Sequence, residues 1–287
     1  MLFKYTMVLI KQILLKFYIC IQRIRRKYIW KNETEQILSS RLFDRINIPC
    51  LPKGKYLILI PHSDDEWIGN SSLISNKFYD VVLCNTDMQG GDSLRIHNLR
   101  LQEMQNMASR FQRKMLTLRS NKIVNLADVL KEEKPEYVLV PSYFDWHPEH
   151  FEVMDLLSNV EGLCDTSSFL VVMYQVTVPM PSSLITHAHS FTKEEWEKKW
   201  EIFRETYKTQ TNFPWFRVSC LERIKGTSQN YANEVFRCST FARWKEEYIG
   251  IAPNAEKRKT IKESLNSITA INKVITEMYK NNEIKKF

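Results

Sequence analysis

Tyr56-Leu57-Ile58-Leu59-Ile60-Pro61-His62-Ser63-Asp64-Asp65-Glu66 sets the frame for the rest of the chain. Its first five residues form a short apolar, β-rich run that reads as a buried strand. The polar residues after it fall at the strand's carboxyl end, where the sites of open α/β sheets gather. A second run of this kind, Tyr137-Val138-Leu139-Val140, leads to Asp145-Trp146-His147-Pro148-Glu149-His150. Further strands are expected over residues 81–85, 115–118 and 169–176, alternating with helices near 67–76, 93–111, 123–133 and 150–159. That alternation predicts an α/β, Rossmann-like fold, a mostly parallel sheet with helices on both faces. No G-x-G-x-x-G follows the first strand, and carboxylates in its place would repel a pyrophosphate, so no nicotinamide cofactor is expected.

The two polar stretches carry the chemistry. A zinc ion that performs catalysis takes three protein ligands and keeps a fourth position for water, and His62, Asp65 and His150 supply donors of the right number and kind. Coordination lowers the pKa of water from 15.7 toward about 7, and a neighbouring carboxylate that accepts its proton completes a nucleophile. Asp64 is placed for that role, because adjacent side chains in an extended segment point in different directions. His147, three residues before His150, is spare and can donate to a developing oxyanion or a leaving amine. Taken alone, each stretch has a plainer reading. Asp64-Asp65-Glu66 is then the acidic first turn of a helix beginning near Trp67, and His147 and His150 flank a Pro turn. Their conjunction, each after an apolar strand in a chain with six His, favours the metal.

His62-Ser63-Asp64-Asp65-Glu66 with His147-Pro148-Glu149-His150 resembles the LmbE/PIG-L family of zinc-dependent N-acetylglucosamine deacetylases, whose motifs read HPDDE and HPDH. The resemblance implies zinc on His62, Asp65 and His150, Asp64 as general base, and His147 as the group that stabilises the oxyanion and assists the leaving amine. Thr86-Asp87-Met88-Gln89-Gly90-Gly91 with Arg100-Leu101-Gln102-Glu103 is similar to the family's glycine-containing loop and R-x-x-E helix. Tyr207-Lys208-Thr209-Gln210 and Tyr231-Ala232-Asn233-Glu234-Val235-Phe236 resemble its closing segments. Ser63, Glu149 and Asn70 depart from the usual Pro, Asp and Gly. None is a proposed ligand or the base. Ser63 gives up a φ-locked turn, and Asn70 is a residue that tolerates left-handed φ.

Around the motifs, Trp67, Tyr143, Phe144 and Trp146 can stack on a sugar or serve as wall and core. Arg95 and Arg100 can read hydroxyls or an anionic aglycone, or pair with acids on their own helix. Asp145 can orient His147 from behind or cap the following helix. The expected substrate is an N-acetylated aminosugar conjugate in glycan or glycolipid biosynthesis. Two other readings stand beside it. A metal-dependent esterase or amidase would act on another acyl group, and a non-catalytic glycan- or membrane-surface binder would keep the fold without needing metal.

Residues 1–30 alternate apolar clusters with Lys4, Lys11, Lys16, Arg23, Arg25, Arg26 and Lys27. At helical spacing Lys4, Lys11, Gln12, Lys16, Gln22 and Arg23 fall on one broad side. No apolar run approaches the 18 or so residues a spanning helix needs, and no small-residue cleavage site follows, so neither a membrane span nor a secretory signal is expected. Such a helix suits either an anionic membrane interface or the protein's own core. Residues 31–53 read as a connector with a short helix, 54–250 as the deacetylase domain, and 251–287 as a Lys-rich helical tail with a frayed end. The segment 192–207 reads as an amphipathic helix with core aromatics. Of the 287 residues 44% are hydrophobic and 26% charged, which indicates an ordinary globular core and not disorder. Six scattered Cys without C-x-x-C spacing suggest a reducing compartment, hence a cytoplasmic protein, peripheral at the cytoplasmic face of a membrane if the helix binds there. The net charge of +8 asks for a polyanionic neighbour, but no nucleic-acid-binding motif accompanies it.

Overall fold

The computed structural model describes residues 2–40, 48–88, 92–210, 213–226 and 230–283. Five strands, β1 (Lys55–Ile60), β2 (Asp80–Asn85), β3 (Lys114–Thr117), β4 (Tyr137–Pro141) and β5 (Leu170–Tyr174), run parallel in the order β3-β2-β1-β4-β5. Beyond β5 the sheet turns antiparallel, adding β7 (Ala232–Thr240) and, at the edge, β6 (His187–Phe191). Successive strand residues alternate between two buried layers. Leu57, Leu59, Val138 and Val140 face one layer, and Tyr56, Ile58, Ile60 and Leu139 face the other. A parallel sheet buried on both sides needs such apolar strands, and here both sides are helix-covered. Helices α2 (Asp65–Ser75), α3 (Leu94–Arg110) and α6 (Lys193–Thr206) pack on the second face, and α4 (Lys122–Glu133), α5 (Pro148–Ser158) and α8 (Phe241–Ile251) on the first. The Rossmann-like α/β fold expected from the strand–helix alternation is the fold found.

The strand order reverses beside β1, which pairs with β2 on one side and β4 on the other. A crevice opens outside the carboxyl ends of strands at such a switch point, and the two polar stretches are the loops after β1 and β4. The sheet therefore brings together residues more than eighty positions apart.

Three features differ from the sequence reading. The boundary drawn at residue 30 falls inside one unbroken helix, α1 (Leu2–Ser39), because Trp30 and Thr34 are fully buried and fix its later part. That part packs on α7 (Trp215–Ile224) and α10 (Ile268–Glu283). The tail after residue 250 is built into the core: α9 (Ala255–Ser264) and α10 bury Ile261, Ile268, Ile271 and Ile275. Residues 284–287, expected to fray, lie outside the described residues, as does the Gln89-Gly90-Gly91 part of the glycine-containing loop. The antiparallel pair β6 and β7 has no counterpart among the expected strands. All six cysteines are unpaired.

Candidate metal centre

The loop after β1 is short and strained. Asp64 occupies φ 128°, a region that residues with a Cβ rarely adopt and that is held only when surroundings impose it. Those surroundings are visible. Asp64 N–H donates to Glu66 Oε2 at 2.8 Å, and Glu66 Oε1 accepts from Tyr207 Oη, at the end of α6, at 2.7 Å. Gln210 Nε2 donates to the Ser63 carbonyl at 3.1 Å, so the turn that proline would have locked is fastened from outside. Glu103 on α3 accepts from the Thr209 N–H and hydroxyl at 2.8 and 2.5 Å, which fixes the segment that does the fastening.

Behind the loop, α2 is kinked at Asn70, with φ −141° and ψ 24°. This corrects the expectation of a left-handed Asn70: the residue leaves the helical region on the negative side. The groups freed by the kink are satisfied by buried ions. Glu234 accepts from the Ser71 and Ser72 N–H groups at 3.0 and 3.1 Å, and Lys199 donates to the Ile68 carbonyl at 2.7 Å while pairing with Glu234 and Glu222. Gly69 allows this packing, since a Cβ there would stand 2.3 Å from the Tyr174 ring.

The loop after β4 is organised locally. His147 is the N-cap of α5 and Pro148 its first residue, a position where the missing N–H costs nothing and the fixed φ favours the helix. Asp145, buried, accepts from the Trp146 and His147 N–H groups at 2.6 and 3.2 Å and stands 3.2 Å from His150 Nδ1.

These loops converge on one carboxylate oxygen. Asp65 Oδ2 lies 3.0 Å from His62 Nδ1 and 3.1 Å from His150 Nε2. Donor atoms around a tetrahedral zinc at 2.0–2.1 Å stand about 3.4 Å apart, close to these two distances from Asp65. His147 belongs to the same cluster: ring nitrogens of His62, His147 and His150 lie within 4.8 Å of one another, and His147 Nδ1 is buried without a hydrogen-bond partner. Each of these two histidines has a carboxylate near its far nitrogen, Asp145 for His150 and Glu149 for His62. Carboxylates placed this way orient metal-binding imidazoles and raise their basicity.

The electrostatics follow from this packing. Burial and the Asp65 charge push the Asp64 carboxyl well above the ordinary carboxylate range. Burial works against the charge of Asp65 too, but the His150 and His62 imidazoles override it and hold that carboxyl low. Burial likewise opposes charging of the two histidines, yet their carboxylate partners raise His62 to about 9 and His150 to about 10. His147 goes the other way: burial, then the charges of His62 and His150, lower it to about 4, so it is neutral near pH 7. One cleft with divergent neighbours of this kind is suited to acid/base work.

A cavity of about 310 Å³ opens on the cluster and is lined by His62, Asp64, Asp65, His147 and His150 together with Arg100 and Trp146. Arg100 is tied to Asp92 at 2.7 Å. Four of the residues considered for substrate contact are not there, and of these Tyr143 and Phe144 are fully buried in the core. Trp67 is a core residue at 1% exposure, its ring stacked on Phe111 and its Nε1 donating to the Lys199 carbonyl, because the helical turn that aims Asp65 at the cleft turns Trp67 into the layer behind. Arg95 is on the first turn of α3 and does not line the cavity. The reading of the sequence did not find the tether from Tyr207 to Glu66 or the contact of Glu149 with His62. Both residues lay in quoted segments, but nothing local tells which partner they reach.

The structure is similar to an N,N'-diacetylchitobiose deacetylase from Pyrococcus horikoshii, solved with its inhibitor MPG, at a TM-score of 0.51 and 19% identity over 66% of this chain and 85% of that one. It is also similar to a conserved protein from Thermus thermophilus, TT1542, at a TM-score of 0.50 and 16% identity over 63% of this chain and 93% of that one. No family model matches the sequence, and no curated protein matches it. The fold implied by the motif resemblance is thus the fold these structures share with this chain.

Proposed function

We propose that this chain is a metal-dependent hydrolase that removes the N-acetyl group from an N-acetylated aminosugar conjugate, with zinc or another divalent transition metal on His62, Asp65 and His150. The observation that carries the proposal is the convergence of those three donors on one point, with Asp64 and His147 in the same cleft at the sheet's switch point. The fold shared with a chitobiose deacetylase supports the same reading. A divalent ion bound there would bring a coordinated water's pKa toward neutrality and polarise an acetamide carbonyl.

The chain's own residues supply the rest. Asp64, raised by burial, accepts the proton as water oxygen bonds to the carbonyl carbon. His147, neutral near pH 7, offers an N–H to the oxyanion that forms. The C–N bond then breaks, the nitrogen takes up a proton, and acetate and the free amine leave. Asp145 and Glu149 keep the two histidine rings turned so that one nitrogen of each faces Asp65.

The outer part of α1 supports work at a membrane surface. Ile13, Phe17, Ile24 and Tyr28 are each at least 57% exposed, and Lys11, Lys16, Arg23, Arg26 and Lys27 are exposed with them. Among the described residues no helix is long and apolar enough to cross a membrane. Leu14, Leu15, Tyr18 and Ile19 are exposed as well, and a helix that offers so many apolar and basic side chains together suits the interface of an anionic bilayer, here the cytoplasmic face. Deleting residues 1–22, which spares Arg26 and buried Trp30, should weaken binding to phosphatidylserine vesicles and leave turnover of soluble substrate unchanged. Undiminished vesicle binding would remove the membrane from the proposal.

The test of the chemistry is acetate release from a panel of N-acetylhexosamine conjugates by the metal-loaded wild type and Asp64→Asn in parallel. Wild-type turnover reduced about 10²–10⁴-fold in the variant, with metal content retained, is the expected outcome. Equal rates would remove Asp64 as base, and release of a free hydroxyl in place of an amine would make the protein an esterase.

A further inference from the structure

Part of the cleft wall has the opposite charge from the metal end. Phe213, Pro214, Arg217 and Val218, from the start of α7, line the same cavity as His62 and His150. Arg217 is half-buried, and its Nε is enclosed without a hydrogen-bond partner. No carboxylate among the described residues pairs with it, whereas Arg100 in the same cavity has Asp92. The charge that bears on Arg217 is another cation, Arg26 of α1; burial first and Arg26 second lower the Arg217 pKa. Two more cations stand near the start of α7. Lys27 Nζ lies 6.0 Å and the Arg204 guanidinium 5.2 Å from the centroid of Trp215, two residues away. The first turn of α7 holds no acid that could offset these cations.

A cation drawn out of water without a partner is costly, and like charges around it add to the cost. A ligand that restores the balance must be an anion, and a guanidinium presents two parallel donors that match two oxygens of a phosphate. We propose that Arg217, with Arg26 nearby, forms a phosphate subsite that holds the anionic end of the substrate while the acetamide lies at the metal cluster. The sugar end of this assignment rests on the deacetylase reading; the anion site does not. The substrate is then a phosphorylated N-acetylaminosugar. Since Arg26 belongs to the helix suited to lie on a bilayer, the phosphate is either the sugar's own or that of a lipid headgroup.

Calorimetric titration of the full chain separates these cases, with inorganic pyrophosphate, N-acetylglucosamine 1-phosphate and the neutral methyl N-acetylglucosaminide as probes. In the wild type the sugar phosphate should bind at least about tenfold more tightly than the neutral sugar. Arg217→Gln, verified as folded by its thermal melt, should erase that preference without weakening the neutral sugar, and Arg217→Lys should keep part of it. Pyrophosphate binding that depends on Arg217 while neither sugar binds would uphold the subsite and defeat the aminosugar reading. Equal affinity for charged and neutral sugar in the wild type, a preference that survives Arg217→Gln, or no binding of any phosphate probe would overturn the subsite. Displacement of pyrophosphate by phosphatidylserine vesicles would assign it to a headgroup; displacement by the sugar phosphate alone would assign it to the sugar.

Discussion

The loop after β4 is organised mainly by its own residues, with Thr177 Oγ1 donating to Asp145 from outside at 3.3 Å, and the loop after β1 is held by others. In the first, Asp145, His147, Pro148 and His150 form a cap, a first helical turn and a rear carboxylate within six residues. In the second, Asp64 keeps φ 128° only because Glu66, Tyr207, Gln210 and the α2 kink network constrain it, and the last three of these draw on distant parts of the chain. The contrast suits the proposed roles. A rear ligand asks for fixed orientation, which local geometry provides. A base beside a ligand asks for two adjacent carboxylates aimed differently, and the backbone reaches that arrangement only under constraint.

Metal binding should show the largest effect, because it draws on both loops together. In the metal-free protein His62 and His150 stay protonated up to about 9 and 10, and ligation needs both neutral. Uptake of Zn²⁺ near pH 7 should therefore release about two protons, so affinity rises with pH, about a hundredfold per unit between roughly pH 6 and 8. Chelator competition at several pH values measures the slope, and a pH-independent affinity would mean that these imidazoles are not the ligands. Next in size is Asp145→Ala, which removes the rear carboxylate of His150 and should lower zinc affinity about 10–100-fold. If the loss is under about threefold, the self-held loop does not rely on that contact.

Two milder changes set the loops directly against each other. Tyr207→Phe deletes only the hydroxyl that steadies Glu66, outside the donor cluster, and should lower kcat about tenfold with metal content unchanged, since a slightly misplaced base loses rate faster than binding. Pro148→Ala, at a first-turn position that most residues tolerate, should cost no more than about 1 kcal/mol of stability by thermal melt and leave kcat within about twofold. Should Pro148→Ala harm the enzyme more than Tyr207→Phe, the contrast between the loops is inverted.

How much of this was legible beforehand follows the same division. The strands before each motif, their parallel arrangement and the acids and imidazoles that meet in the cleft could be read because apolar runs and the polar residues after them are neighbours in sequence. Trp67 was misplaced as a substrate contact, since adjacency to a motif does not say which face of a helix a residue takes. The edge strand β6 escaped because His187-Ala188-His189-Ser190-Phe191 has no strongly apolar pattern and becomes a strand only by pairing with β7.

The sequence by itself determined the α/β core and the identity of the residues that can hold a metal, because both depend on patterns a few residues long. Only the tertiary structure decided that Glu66 would be steadied from Tyr207, that the α2 kink would be filled by Glu234 and Lys199, and that Arg217 would face the cleft beside Arg26. The same holds for α1, one continuous helix whose later part is buried and whose outer part is not. Contacts across more than a hundred residues have no period and no spacing. They arise from where the sheet sets down each loop, and the chain alone does not state that.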